Sequence, residues 1–138
     1  MPQSRPSNNG KIILIGEDDL DDQEILDEIF SSIDTNFAVT FLPNGTEVIA
    51  YLQGQDEGPL PCLIVLDYNM PGLNGAEILQ ELRKNSRYDN IPKVIWSTSN
   101  STTYKEICLD LGANDYVVKP SNVNDLVMVA KHMLSFCS

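Results

Sequence analysis

Short apolar runs alternate with amphipathic segments along most of the chain, and this alternation limits the folds open to it. Four runs are almost entirely apolar and rich in Ile and Val, at residues 11–16, 62–66, 94–96 and 116–118. Such runs are typical of strands buried on both faces of a parallel sheet. Phe37, Val39 and Phe41 instead alternate with smaller or polar residues, which predicts an edge strand.

The segments between these runs predict helices that each bury one face. The apolar positions at helical spacing are Ile25, Leu26, Ile29, Phe30 and Ile33, then Val48, Ile49 and Leu52, and finally Leu126, Val127, Ala130, Met133 and Leu134. Asn74 and Glu77 have the spacing of a capping box, and Gly112 is placed to end a helix. The pattern predicts a (βα)5 α/β fold with a doubly wound parallel sheet and a reactive site at the carboxyl ends of the strands.

The charge balance restricts partners and location. With 20 acidic and 9 basic residues the formal net charge is −11, which disfavours attraction to nucleic acid. No apolar run approaches the roughly 20 residues needed to cross a bilayer, and residues 1–10 do not resemble an export signal. We predict a cytoplasmic protein that binds neither nucleic acid nor membrane, with a flexible tail at 1–10 and one domain at 11–138.

The sequence assigns no special chemistry to cysteine or histidine. Cys62, Cys108 and Cys137 lie in apolar runs at separations that match neither a zinc site nor a set of disulfide pairs. We therefore expect buried, reduced thiols. His132 has no evident Cys or Asp partner, and we expect a surface or boundary residue.

Carboxylates follow two of the predicted strands. Glu17, Asp18 and Asp19 end the first strand and Asp67 ends the third, so these groups converge at one edge of a parallel sheet. Two such charges ~5 Å apart repel by roughly 3 kcal/mol at an effective dielectric of about 20. An oxygen-only ligand set of this kind suits Mg²⁺ or Mn²⁺. We expect Asp19, Asp21 and Asp22 to serve only the start of the first helix.

The same edge carries further reactive groups. Asp67 is followed by a turn containing Asn69, Met70, Pro71 and Gly72. Strand four ends in Ser97-Thr98-Ser99 and strand five in Lys119-Pro120. A carboxylate nucleophile, a divalent metal and an ammonium group are the parts needed for phosphoryl transfer. The residues alone leave open that Lys119 is a simple salt-bridge partner of Asp67.

These residues resemble the receiver domain of two-component response regulators over nearly the whole chain, from residue 11 to 138. The hydroxyl at Ser97 lies 30 positions after Asp67, and Lys119 lies 22 positions after Ser97. Both intervals are similar to those of the family. The resemblance implies a flavodoxin-like sheet with strand order 2-1-3-4-5.

The resemblance also implies a role for each site residue. Asp67 would be the phosphoacceptor, and the Mg²⁺ ligands would be Asp18, Asp67, the backbone carbonyl of Asn69 and, through water, Glu17. Lys119, Ser97 and Thr98 would contact the phosphoryl group, and Ser97 and Tyr116 would form the switch. The Lys119–Pro120 bond would be cis. Three residues depart from the commoner pattern: Glu17, Ser97 and the relatively large Thr98.

The implied function is that of a bacterial single-domain response regulator, which catalyses only its own phosphorylation and dephosphorylation. The phosphoryl donor would be a sensor histidine kinase, a phosphotransfer protein or a small acyl phosphate. Phosphorylation would let Tyr116 rotate inwards and repack the face of helix four, strand five and helix five for a protein partner or a second copy. The pattern is more similar to regulators that partner phytochrome-type kinases than to chemotaxis regulators.

Three alternatives fit parts of the pattern. A haloacid-dehalogenase-type phosphohydrolase would need a second Asp where this chain has Asn69. A flavodoxin-like electron carrier would need a phosphate loop in place of Glu17-Asp18-Asp19, which repels phosphate. A degenerate receiver that binds partners without phosphorylation would lack one or more of the expected groups.

Overall fold

The computed structural model describes residues 11–33, 36–54 and 59–137. The predicted tail at residues 1–10 lies outside them. Within these residues the chain forms five strands and five α-helices that alternate. The strands are β1 (Ile12–Gly16), β2 (Ala38–Leu42), β3 (Leu63–Asp67), β4 (Lys93–Ser97) and β5 (Asp115–Val118). The helices are α1 (Leu20–Ile33), α2 (Gly45–Gln53), α3 (Gly75–Leu82), α4 (Thr102–Asp110) and α5 (Val123–Leu134), with a 3-10 turn at Ser86–Tyr88.

The strands form one parallel sheet in the order β2-β1-β3-β4-β5, which confirms the predicted fold class and strand order. Each face of the sheet carries its own hydrophobic core. One core includes residues of α1 and α5, such as Leu26, Phe30 and Met133. The other includes residues of α2, α3 and α4, such as Val48 and Leu79. This distribution of helices over both faces is the doubly wound arrangement.

Strand position explains the composition of each strand. β3 and β4 are buried at all five positions, as their apolar runs predict. β2 alternates between buried and partly exposed residues, as expected for an edge. β5 was predicted to be buried on both faces, and this is wrong: it is the other edge strand, and its Val118 is 44% exposed.

The helix boundaries follow local chemistry. Asn74 and Glu77 form the predicted capping box at the start of α3. Gly112 follows the last residues of α4 with φ of +105°, a conformation that favours glycine. In α1 the predicted apolar face is wrong at Ile25, which is 39% exposed. Gln23 is buried in that helix instead, because its side chain donates a hydrogen bond to the backbone oxygen of Glu17.

Two further predictions about single residues need correction. His132 is a surface residue, as predicted, but it does have an acidic partner, since its Nε2 lies 2.6 Å from Oδ2 of Asp115 at the start of β5. The Lys119–Pro120 bond is trans, as are the other peptide bonds of the described residues. The trans isomer is the more stable one before proline, and Lys119 reaches the carboxylates described below with the bond in that form.

Cys62 and Cys137 are joined by a disulfide, which corrects the prediction of three reduced thiols. Their Cα atoms lie 5.0 Å apart although 75 positions separate them in sequence. Spacing could not reveal this pair because the start of β3 and the segment after α5 meet only in the folded chain. Cys108 is a buried free cysteine, as predicted. Among the described residues, no helix has the length and apolar character required to cross a membrane.

Candidate functional site

Residues at the carboxyl ends of four strands meet at one edge of the sheet. Glu17 directly follows β1, Asp67 ends β3, Ser97 ends β4 and Lys119 directly follows β5. The ammonium nitrogen of Lys119 lies 2.8 Å from Oε1 of Glu17 and 2.9 Å from Oδ2 of Asp67. Because the strands are parallel, side chains from distant parts of the sequence come into direct contact here.

Asp22 is a further member of this group, and the sequence did not assign it there. Oδ2 of Asp22, in the first turn of α1, lies 2.9 Å from the Lys119 ammonium. The prediction that Asp22 serves only the helix terminus is therefore wrong. Asp19 does act as predicted, since its Oδ1 accepts hydrogen bonds from the backbone N–H groups of Asp21 and Asp22. We call Glu17, Asp18, Asp22 and Asp67 the acidic cluster.

Three members of the acidic cluster have the donor atoms and the mutual proximity of a cation site. One carboxylate oxygen from each of Glu17, Asp18 and Asp67 lies within 4.8 Å of the others. Glu17 and Asp67 are buried, whereas Asp18 is exposed. A set of hard oxygen donors that is partly open to solvent fits Mg²⁺ or Mn²⁺, which keep several water ligands.

Lys119 contacts three of the four carboxyl groups of the acidic cluster and supplies one positive charge to them. Burial raises the pKa of Glu17 to about 8, against the opposing effect of the hydrogen bond from Lys119. For Lys119, burial lowers the pKa, but its hydrogen bonds to Glu17, Asp22 and Asp67 outweigh that effect and raise it above the ordinary value. A divalent cation would stabilise the ionised carboxylates further.

The backbone around Asp67 fixes its carboxylate. Oδ1 of Asp67 accepts a hydrogen bond from the backbone N–H of Asn69 at 3.1 Å, while Oδ2 faces Lys119. The turn after Asp67 is closed at Gly75, whose backbone N–H donates a hydrogen bond to the backbone oxygen of Tyr68 at 2.8 Å. A Cβ at Gly75 would lie 3.2 Å from the Cα of Tyr68, so this close approach favours glycine. Both oxygens of Asp67 are thus held in defined positions.

Strands β4 and β5 place their groups beside this carboxylate. Ser97 is fully buried, and its Oγ accepts a hydrogen bond from the N–H of Ser99. The N–H of Lys119 donates to the oxygen of Ser97 at 2.7 Å, which ties the two strand ends together. Thr98 is exposed. The Lys119 ammonium also lies 4.6 Å from the centre of the Trp96 ring, a cation–π contact.

Tyr116 is buried, with 6% of its surface exposed, and its hydroxyl donates a hydrogen bond to the backbone oxygen of Ser99 at 2.8 Å. This hydrogen bond ties the ring to the loop after β4. The inward rotation expected on phosphorylation stays a prediction.

An aromatic pair that the sequence analysis missed links Asp67 to α4. Tyr68, the residue after Asp67, stacks on Tyr104 in the first turn of α4. The ring centres are 4.4 Å apart and the planes differ by 9°. The two residues are 36 positions apart in the sequence, so no local pattern marks the contact. It gives the turn after Asp67 a direct packing partner on α4.

Comparison with known proteins agrees with this geometry. Residues 13–131 match the family described as response regulator receiver domain. The response regulator Rcp1 of Synechocystis is 32% identical, over 96% of this chain and 92% of that protein. The crystal structure of a phosphorylated cyanobacterial phytochrome response regulator, RcpA, matches with a TM-score of 0.83 at 30% identity, covering 92% of this chain and 93% of that one. A Mn²⁺-bound structure of Rcp1 matches with a TM-score of 0.81 at 32% identity, covering 91% and 93%.

Proposed function

This chain belongs to the response regulator receiver domain family, and from that premise we propose that it is a cytoplasmic response regulator phosphorylated on Asp67. The observation that carries the proposal is the contact of one ammonium group, on Lys119, with both Asp67 and Glu17 at the carboxyl edge of the sheet. This contact brings together the carboxyl ends of β1, β3 and β5, on whose residues phosphoryl transfer would depend.

Mg²⁺ is the cofactor that fits best, with Mn²⁺ as a substitute. Asp18 and Asp67 would bind it directly, Glu17 through water, and Asn69 through its backbone carbonyl. When bound, the ion would neutralise the charge that develops on the phosphoryl oxygens. The mutual proximity of the Glu17, Asp18 and Asp67 oxygens supports this assignment.

The chemistry is a single phosphoryl transfer. An oxygen of Asp67 forms a bond to phosphorus as the bond from phosphorus to the histidine nitrogen of the kinase breaks, which leaves a neutral imidazole after proton balance with solvent. Lys119 moves from the carboxylate to the new phosphoryl oxygens, where its positive charge is stabilising. The hydroxyls of Ser97 and Thr98 then donate to the same oxygens. The exposed position of Thr98 lets it act at the entrance of the site.

The switch would run from Ser97 to the face formed by α4, β5 and α5. Phosphorylation adds roughly 1.5 to 2 negative charges, which draw the Ser97 hydroxyl away from the N–H of Ser99. Because Ser99 also holds the Tyr116 hydroxyl, this movement changes the packing of Tyr116 against α4.

The α4-β5-α5 face is the proposed contact for the downstream protein or for a second phosphorylated copy. On α4 only Cys108 is buried, and the elements α4, β5 and α5 expose Ile107, Leu109, Val118 and Met128 to between 39% and 69%. Exposed apolar side chains of this size are common at protein interfaces. The similarity to a phytochrome response regulator supports a phytochrome-type histidine kinase as the phosphoryl donor.

The proposal is tested by incubating the protein with acetyl phosphate and Mg²⁺ and measuring the intact mass. We expect the mass to increase by that of one phosphoryl group. This increase should be absent in D67N and when the metal is chelated. D21N removes a neighbouring exposed acid outside the acidic cluster and should behave like the unmodified protein. A phosphoryl adduct that persists in D67N would refute the assignment.

A further inference from the structure

We propose that the Cys62–Cys137 pair is a thiol–disulfide exchange site that a dithiol reductant opens. The pair lies at the edge of the sheet opposite the acidic cluster. Cys62 directly precedes β3 and Asp67 ends it, so five residues of strand, roughly 17 Å, separate the two sites. The inference does not depend on phosphorylation of Asp67.

The fold holds both cysteines in place by backbone contacts. The N–H of Cys62 donates to the oxygen of Ile12 at 2.8 Å, and the N–H of Cys137 donates to the oxygen of Leu134 at 3.0 Å. The Cα separation of 5.0 Å falls in the usual range for disulfides, about 4.4 to 6.8 Å. The segment that follows α5 is thereby fixed to the start of β3.

The two cysteines differ in exposure. Cys137 is 5% exposed and packs in the core between the sheet and helices α1 and α5. Cys62 is partly exposed and lines a groove of about 480 Å³, together with Arg87, Asn90 and Phe136. An incoming thiolate therefore reaches the sulfur of Cys62 first.

The exchange balances as follows. A thiolate of the reductant bonds to the sulfur of Cys62, and the bond between Cys62 and Cys137 breaks with its electron pair on Cys137, which takes up a proton. The second thiolate of the reductant then attacks the reductant sulfur bonded to Cys62, and Cys62 leaves and is protonated. The protein gains two electrons and two protons, and the dithiol becomes a disulfide.

Among the described residues, this disulfide is the only covalent cross-link between the segment after α5 and the rest of the fold, and reduction removes it. The pair closes a loop with a sequence separation of 75 that contains the strands β3, β4 and β5 and the helices α3, α4 and α5. Opening it releases the end of α5 from the start of β3 and leaves the helix held by packed side chains such as Ala130 and Met133, which are fully buried in the disulfide-bonded structure. The redox state of the pair thus sets how firmly α5 is held on the sheet.

Cys108 provides the matched control. It is fully buried, and burial raises the pKa of its thiol to about 11, so it stays unreactive in the folded protein. Maleimide labelling after denaturation should modify one cysteine in the oxidised protein. It should modify three after the native protein has been treated with dithiothreitol. In C108A the corresponding numbers are zero and two.

The direction of attack is tested with glutathione, a monothiol that leaves a mixed disulfide. Peptide mapping should locate glutathione on Cys62. Three labelled cysteines in air-oxidised protein, a pair that resists dithiothreitol until the protein unfolds, or glutathione on Cys137 would each overturn the proposal.

Thermal unfolding tests the effect on the fold. Reduction should lower the melting temperature of the unmodified protein and of C108A by about 10 °C, because the closed loop is long. C62A should melt at the same temperature with and without reductant. A reduced protein that melts within a degree or two of the oxidised one would show that the pair does not tether α5.

Discussion

Lys119 is the residue on which the charge balance of the acidic cluster depends. It contacts Glu17, Asp22 and Asp67 at once, and Glu17 has no exposed surface. Removing one partner of a buried ion pair leaves the other charge without compensation. The lysine is therefore a structural residue before any phosphoryl group arrives, as well as the proposed ligand of that group.

The variant K119M should lower the free energy of unfolding by about 3 kcal/mol in the presence of a metal chelator. Mg²⁺ should raise the free energy of unfolding of K119M by more than it raises that of the unmodified protein, because the cation replaces the missing positive charge. Urea unfolding with and without Mg²⁺ measures both quantities. K105M, on the exposed side of α4, is the control and should change stability little; an equal effect of the two substitutions would contradict the assigned role.

Trp96 makes metal binding measurable, because it is the single tryptophan of the chain and lies under the Lys119 ammonium. Mg²⁺ in the acidic cluster should shift Lys119 and change the fluorescence in a saturable way. D18N should weaken the apparent affinity by about tenfold or more, as expected for loss of a metal ligand. D21N should titrate like the unmodified protein, and equal weakening in both variants would mean that general surface charge attracts the ion.

At the level of helices and strands, hydrophobic periodicity was sufficient to predict the architecture. β3 and β4 are buried on both faces, and β2 alternates, because their composition reflects their place in the sheet. The same reasoning failed for β5, since three apolar residues in a row do not distinguish an edge strand from a central one. It failed for Ile25 because helical spacing predicts which residues share a face of the helix, but not which of them another element packs against.

The stack of Tyr68 on Tyr104 connects two elements, the turn after β3 and the first turn of α4. Y104A should lower the free energy of unfolding by about 1 kcal/mol beyond the loss of buried area. It should also weaken the response of α4 to phosphorylation, seen as smaller changes in amide hydrogen exchange over residues 102–110. Y104F keeps the ring and should behave like the unmodified protein; matching losses in Y104A and Y104F would exclude stacking as the cause.

On the scale of the whole molecule, the site could be predicted in part because parallel strands bring their carboxyl ends to one edge. That rule places Glu17, Asp18, Asp67, Ser97 and Lys119 together from sequence order alone. It could not include Asp22, the Tyr68–Tyr104 stack or the Cys62–Cys137 disulfide. Each of these depends on how a helix or a chain segment packs on the sheet, which no local pattern specifies.

The molecule thus has two edges with different chemistry. The carboxyl edge holds the acidic cluster and Lys119, and the opposite edge holds the disulfide. β3 spans the distance between them, with Asp67 at one end and Cys62 just before the other. The central claim concerns the first edge, where Asp67 is proposed to carry the phosphoryl group.

That claim is tested most directly by trapping the acyl phosphate. Reduction of the phosphorylated protein with borohydride converts a phosphorylated aspartate to homoserine, which peptide sequencing locates. Phosphorylation on Asp67 predicts homoserine in place of Asp67 and unchanged aspartate at positions 18 and 22. Homoserine at another position, or a phosphoryl group found on His132 instead, would contradict the account.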